Sequence, residues 1–248
     1  MAGSQTIRAR LRCRDRLWSP QDRSPTSKDS YWVLSICQKL SYITDAMRQM
    51  SSPIAAQIVE HVAGLPEGVP VTAKEFLHLG SRASVDQILS RLVKHDVLMR
   101  PGRGLYVKPV ESRFGKRGPG VEELVKGVSQ VMGETIVPHG AAAANTLGLS
   151  TQVPVKPIYL TSGSTRQLKI GNLVIELRHA PEWQLIMPNQ VSGSVIRALA
   201  YIGKAQAGEA VEKLEKRLPE MAKAEVIASR PRLPTWLAEQ VSDLVKHV

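Results

Sequence analysis

Residues 52–109 carry three short helical patterns followed by two short strands, and this order restricts the fold more than any other feature of the chain. Ser52 provides an N-cap and Pro53 suits the first position of a helix. Apolar residues then recur at a spacing of about 3.6 until Gly64. The pattern predicts a first helix that ends at Gly64 and Pro66.

A second, shorter helix is predicted after the polar loop PEGVPV. Thr72 and Glu75 have the spacing of a capping box, in which each residue satisfies a backbone N–H group of the other. Gly80 is expected to end this helix after about two turns. Its apolar face is expected to consist of Phe76, Leu77 and Leu79.

A third helix begins at Ser81 or Ser84, because either residue can cap it. Its buried stripe is expected to contain Val85, Ile88, Leu89 and Leu92. The sequence VLMR-PGRG-LYV follows and predicts a β-hairpin. Two helices joined at a glycine and followed by a hairpin indicate a winged helix-turn-helix, in which the third helix lies in the major groove of DNA.

The exposed residues of the third helix are the candidates for contacts to base edges. Arginine can pair with guanine through two hydrogen bonds, and glutamine can pair with adenine in the same way. The candidates for direct base contact are Arg82, Ser84, Gln87 and Arg91.

Positive charge is concentrated after the third helix. The chain has a net charge of +11, and residues 97–119 contain six basic residues against the single acid Glu111. Residues 204–248 are almost neutral, with eight basic and seven acidic residues. Bunched basic residues are typical of a phosphate-binding surface, although solvated surfaces and protein-interaction modules also carry such patterns. The candidates for contacts to phosphate or to the minor groove are Arg100, Arg103, Lys108, Arg113, Lys116 and Arg117.

The chain divides by pattern into an α+β arrangement of several parts. Residues 1–46 show no sustained period; they are interpreted as an irregular extension, with Met47 or Met50 as the natural start, or as a basic arm that touches DNA. A winged helix-turn-helix at 47–110 and a basic linker at 111–120 follow. Residues 121–248 are expected to form a mixed α/β domain with a small sheet and a helical C-terminal part, including a tight hairpin at Gly171 and Asn172.

No catalytic constellation can be recognised in the sequence. The six histidines include no pair with metal-ligand spacing; His139 has the best claim to a function, but a histidine at a helix start is more often structural. The segment TSGST at 161–165 resembles a nucleotidyltransferase turn, but that chemistry needs several carboxylates for Mg²⁺, and Glu176 stands alone. A polar turn between strands is the better interpretation. We therefore expect no enzyme, no cofactor and no metal site.

The remaining compositional features favour a cytoplasmic protein without a membrane span. No apolar run approaches about 18 residues. Cys13 and Cys37 allow at most one disulfide, which suits a reducing compartment. The small residues of HGAAAANTL are expected to pack closely against a sheet and not to cradle a ligand.

Two stretches, HLGSRASVDQILSRLVKHDVLMRPGRGLYVKP and PHGAAAANTLGLSTQVPVKPIYLTSG, resemble the AbiEi family of bacterial antitoxins, and the likeness runs from about Pro53 to the mid-180s. The resemblance implies a transcriptional repressor whose winged helix binds inverted repeats of double-stranded DNA in its own promoter. It also implies an antitoxin that counters an adjacent nucleotidyltransferase toxin, with direct contact between the two left open. The alternative is a winged-helix regulator whose C-terminal domain senses a ligand or dimerises, with no toxin partner.

Overall fold

The structure, a computed structural model, describes residues 53–113, 115–151 and 156–242. The expected extension at residues 1–46 and the two interpretations of it concern a segment outside the described residues.

The first part of the described chain consists of helices and a short hairpin. Helix α1 and helix α2 bury one side each, and a single 3₁₀ turn lies between them. Strands β1 and β2 then pair antiparallel. The bounds are α1 Pro53–Gly64, the 3₁₀ turn Ala73–Phe76, α2 Arg82–Lys94, β1 Met99–Gly102 and β2 Leu105–Val107.

A second hairpin occupies the segment that the sequence suggested as a linker. Strand β3 (Val110–Ser112) pairs antiparallel with β4 (Gly115–Arg117). Five of its six residues are exposed, so the hairpin has no buried face and leaves no alternating hydrophobic pattern in the sequence.

The rest of the chain contains a four-stranded sheet and a group of helices. The order of strands in the sheet is β5–β6–β8–β7, with β6 and β8 parallel and the other two pairs antiparallel. Gly171 has a φ of +56° and joins β7 to β8 in the predicted tight turn. The elements are α3 Val121–Met132, β5 Ile136–Pro138, α4 Gly140–Thr146, β6 Ile158–Thr161, β7 Arg166–Ile170, β8 Leu173–His179, α5 Glu182–Leu185, α6 Val191–Ile202, α7 Lys204–Glu215, α8 Glu220–Ala228, a 3₁₀ turn Arg230–Arg232 and α9 Thr235–Ser242.

One hydrophobic cluster joins the two parts of the described chain. Leu105 and Val107 of β2 belong to the same buried cluster as Leu124 of α3 and Leu168 and Ile170 of β7. The hairpin β1–β2 therefore packs on one face of the sheet beside α3. The regions 47–110 and 121–248 suggested by the sequence share this core, and all described residues belong to one compact unit.

A second cluster holds the C-terminal helices together. Most of its buried side chains come from α6, α7, α8 and α9, and Trp183 and Trp236 pack against it. Helix α4 also packs on α6, because Ala143 and Ala144 contact Ala198. The expectation that these small residues pack against a sheet is therefore wrong: their partner is a helix. A Cβ at Gly140 would collide with the backbone carbonyl of Arg197, which explains the glycine.

The prediction of an α+β fold is confirmed, since the described residues combine packed helices with small sheets. None of the described helices has the length and apolar character that crossing a membrane requires.

Candidate nucleic-acid interface

The second helix that the sequence predicts, between α1 and α2, is shorter than expected. Glu75 accepts hydrogen bonds from the backbone N–H and the hydroxyl of Thr72, at 2.7 and 3.0 Å. The helix after this cap ends at Phe76, one 3₁₀ turn long. Phe76 is buried, but Leu77 is 45% exposed, so the expectation that Leu77 belongs to the apolar face is wrong.

Helix α2 is positioned by its cap and by its buried stripe. The choice between two capping residues resolves to Ser81, whose hydroxyl accepts from the N–H of Ser84 at 3.3 Å. Four side chains at a spacing of three or four residues are buried, and they hold the helix on the core: Val85, Ile88, Leu89 and Leu92. The opposite side of α2 faces solvent.

The four base-contact candidates do not lie on one line along this exposed side. Gln87 is exposed and lies opposite the buried stripe. Arg82 and Arg91 are nine positions apart, so at about 3.6 residues per turn they leave the helix in roughly opposite directions. Ser84 is only partly exposed. Gln87 therefore occupies the middle of the exposed side, with Arg82 and Arg91 on its flanks.

The hairpin β1–β2 carries two arginines, Arg100 on strand β1 and Arg103 in the turn. Gly104 has a φ of +72°, a backbone conformation that favours glycine, and it allows the tight reversal. Arg100 lies 5.8 Å over the ring of Tyr106, which restricts its guanidinium by a cation–π contact. Arg103 is exposed and makes no hydrogen bond or ion pair with another described residue.

Three of the other basic candidates are already engaged within the protein. Lys108 donates to the carbonyl of Ala63 at the end of α1, at 3.1 Å. Lys116 donates to the carbonyl of Asp96 at 3.0 Å. Arg117 lies 3.5 Å from the carboxylate of Glu67. The contacts of Lys116 and Arg117 fasten strand β4 to the first part of the chain, and all three contacts restrict side chains that could otherwise turn to a partner.

Arg113 is exposed at the end of β3, in the turn of the second hairpin. The six basic residues that follow α2 are therefore not equivalent. Arg103 lies in the turn of β1–β2, and Arg100 lies on strand β1.

Two further side chains on α2, Asp86 and Lys94, were not among the candidates predicted from the sequence. Asp86 accepts a hydrogen bond from Nε of Arg82 at 2.9 Å, and both side chains are about half exposed. Lys94 is exposed on the same side as Gln87 and adds a positive charge near the end of α2. The four-residue spacing of Arg82 and Asp86 is a readable sign of such a pair in a helix.

The polar residues of the TSGST segment form a structural network. Gly163 lies so close to Glu134 that a Cβ there would collide with its carboxylate. That carboxylate is engaged by Arg166 and by the hydroxyl of Thr161. His179 is hydrogen bonded through Nδ1 to the carbonyl of Gly163 at 2.9 Å. Within the described ranges, no group of three or more histidine, cysteine or acidic residues could hold a metal ion.

His139 caps helix α4 by accepting the N–H of Ala141 on its Nδ1, at 3.2 Å. Its ring contacts Tyr201 edge to face, with 5.8 Å between centroids. Partial burial lowers the pKa of His139, the positive charge of Arg178 lowers it further, and Glu176 opposes both effects. A neutral imidazole is what the cap requires, so the contact is structural.

These elements define an α+β protein that presents a capped, exposed helix and an arginine-bearing hairpin on one compact unit. Residues 57–227 match the model of a family described as a family of unknown function, DUF6088. The chain belongs to this family. No curated protein and no solved structure matches the chain.

Proposed function

We propose that the chain is a DNA-binding regulator of transcription whose winged helix-turn-helix comprises α1, α2 and the hairpin β1–β2. Helix α2 would enter the major groove, and the hairpin would be the wing. The observation that carries this proposal is the exposed side of α2, which has Gln87 at its centre and basic side chains around it. It is followed in the chain by Arg100 on strand β1 and by Arg103 in the turn of the hairpin.

The chemistry of the two elements suits different parts of a DNA duplex. Gln87 can recognise adenine through two hydrogen bonds in the major groove, and Arg82 or Arg91 can recognise guanine. Arg103 has no partner among the described residues and is suited to phosphate, which fixes position but carries no sequence information. The internal contacts of Lys108, Lys116 and Arg117 make them secondary contributors.

The resemblance to AbiEi antitoxins extends the proposal to a biological role. The protein would repress its own promoter at inverted repeats and would counter a nucleotidyltransferase toxin encoded beside it. It would act in the cytoplasm, without catalysis or a cofactor. This part of the proposal rests on the resemblance and not on any toxin-facing residue.

A second candidate is a regulator whose C-terminal part senses a ligand or dimerises. A buried cluster shared by the hairpin and the sheet favours this candidate: Leu105, Val107, Leu168 and Ile170. A shift of strand β7 on ligand binding or dimerisation would move side chains that contact strand β2. The two candidates differ in one requirement: only the antitoxin needs a toxin beside it.

DNA binding is tested with the full chain and a duplex from upstream of its reading frame, by fluorescence anisotropy at several salt concentrations. If about five phosphates are neutralised, the slope of log affinity against log salt is expected to be roughly −4 to −5. Binding that is absent, or that does not change with salt, would overturn the proposal.

The two roles are separated by measuring repression and growth rescue on the same variants. The charge reversals Arg82→Glu and Arg103→Glu are expected to abolish repression of a promoter reporter and to leave protection against the adjacent toxin. The exposed lysines Lys213 of α7 and Lys216, the residue after it, offer a matched control, because reversing them changes the net charge equally. Loss of rescue in every variant that loses repression, at equal expression, would show that the roles are not separate.

A further inference from the structure

The ion pair between Arg82 and Asp86 lies in the first turns of α2. Nε of Arg82 donates to Oδ2 of Asp86 at 2.9 Å, and the side chains are 56% and 46% exposed. Within the described part of the chain, the terminal nitrogens Nη1 and Nη2 of Arg82 donate to no other residue. The Asp86 carboxylate thus binds the Nε side of the guanidinium and leaves Nη1 and Nη2 available to a partner.

Asp86 also sets the direction of that open end. By helical rotation, Asp86 lies nearer than Arg82 to the middle of the exposed side, where Gln87 is. The hydrogen bond therefore draws the guanidinium of Arg82 toward this middle line. Without Asp86, the long side chain of Arg82 could equally turn outward to a phosphate.

We infer that Arg82 and Asp86 act together as a reader of one G·C base pair. This inference rests on the proposed DNA binding. Nη1 and Nη2 of a guanidinium held at Nε match O6 and N7 of guanine, the commonest specific contact in the major groove. The carboxylate of Asp86 can accept from an amino group of a neighbouring cytosine or adenine, and it repels phosphate. Asp86 is therefore a positioning residue for specificity.

The competing explanation is a helix-stabilising pair without a role in recognition. Exposed pairs four residues apart stabilise a helix only slightly. Such a pair would affect thermal stability and would leave base preference untouched. Base preference is therefore the measurement that separates the two explanations.

The experiment is a selection on randomised duplexes with the full chain and the variants Asp86→Asn, Asp86→Ala and Arg82→Lys. The wild type is expected to select a guanine at one position. Both Asp86 variants are expected to reduce that preference, at most by the roughly 5- to 150-fold that the whole arginine–guanine contact provides, and to leave the other positions unchanged. Arg82→Lys keeps the charge but loses the two-bond geometry, so it should lose the same position.

Glu60→Gln on the exposed side of α1 is the matched control, because it removes one exposed carboxylate outside α2. Melting temperatures of all variants verify that the fold is retained. If the wild type fails to bind DNA, the proposed function is overturned. If it binds and the Asp86 variants select the same sequences as the wild type, only the present inference is overturned.

Discussion

Glu134 and Arg166 are joined by two hydrogen bonds, of 3.1 and 2.7 Å, between the carboxylate and the two terminal nitrogens of the guanidinium. The hydroxyl of Thr161 donates to the same carboxylate at 2.9 Å. Both charged side chains are largely buried, at 16% and 22% exposure. The pair links the segment before β5 to the start of β7, the two edge strands, at one end of the sheet.

Removal of one partner of this pair is expected to destabilise the fold strongly. Glu134→Ala leaves the guanidinium of Arg166 without its counter-charge, which should lower the free energy of unfolding by about 3 kcal/mol. The apolar double variant Glu134→Leu with Arg166→Met should lose less than the two single variants combined. Urea denaturation measures both, and a strictly additive double variant would contradict the coupling.

Arg197 is expected to be replaceable by an apolar residue. It is 1% exposed. Among the described residues, its Nε has no hydrogen-bond partner, and its terminal nitrogens donate only to the hydroxyl of Ser194 and the carbonyl of Gln184, at 3.2 and 3.4 Å. Burial lowers its pKa to about 10, a sign that the environment disfavours the charge. Arg197→Met should keep or raise the melting temperature, whereas Arg197→Ala should lower stability by about 2–4 kcal/mol through a cavity. Equal losses in both variants would show that the charge itself is needed.

Stability is expected to fall in mild acid because of His139. The folded pKa lies below the ordinary value of 6.5, so between those two values the unfolded chain binds a proton that the folded chain does not. The contribution is therefore lost as the pH falls through 6.5 toward the folded pKa.

The test of this effect is the slope of melting temperature against pH between about 7.5 and 5.5. His139→Asn preserves an acceptor for the N–H of Ala141 and should give a shallower slope than the wild type. His78→Gln, at an exposed position, should follow the wild type. Parallel slopes for His139→Asn and the wild type would refute the assignment.

Substitutions of base-reading residues and of phosphate-binding residues are expected to have different effects on DNA binding. Gln87→Ala and Arg91→Ala should relax the preference at particular base pairs. Arg103→Ala should weaken all duplexes about equally and reduce the salt slope by about 1. Lys116→Ala should have a smaller effect, because its ammonium already donates to the carbonyl of Asp96. Selection on randomised DNA and salt titration distinguish the classes; identical profiles for all four variants would invalidate the assignment.

Gly127→Ala is expected to disturb the contact between α3 and the loop after α1. A Cβ at Gly127 would lie 2.6 Å from the carbonyl oxygen of Gly68 and 2.6 Å from Cδ of Pro70. The resulting shift should cost about 1–3 kcal/mol in urea denaturation. Gly64→Ala is the control, because a Cβ there meets nothing within 4 Å and should be tolerated. Similar stabilities for the two variants would mean that the loop moves freely.

Helix α2 and its surroundings could be predicted because their signals are local. The spacing of the apolar residues correctly predicted the buried side of α2, and the PGRG turn correctly predicted the hairpin. The choice between Ser81 and Ser84 could not be made, since both residue types cap helices equally well. The second hairpin was missed because its exposed strands resemble a charged linker.

The interactions that span the sheet could not be predicted from the sequence. Because β6 pairs in parallel with β8, β7 becomes an edge strand of the sheet. The residues of β7 carry no signal that predicts this order. Glu134 and Arg166 lie 32 positions apart, so their pairing depends on the sheet. At the candidate interface, the residue types on α2 were readable, but the partners of Lys108 and Lys116 depend on tertiary contacts.

The cluster that joins the hairpin β1–β2 to the sheet has a thermodynamic consequence. A ligand that binds only the folded protein stabilises everything that unfolds with its site. Duplex DNA held at Arg103 would therefore protect the C-terminal helical cluster as well, by about 2.7 kcal/mol at a concentration of 100 times Kd. Trp183 and Trp236 pack against that cluster, so their fluorescence follows its unfolding during heating. A rise in the melting temperature seen in this fluorescence would therefore reveal DNA bound at the distant hairpin.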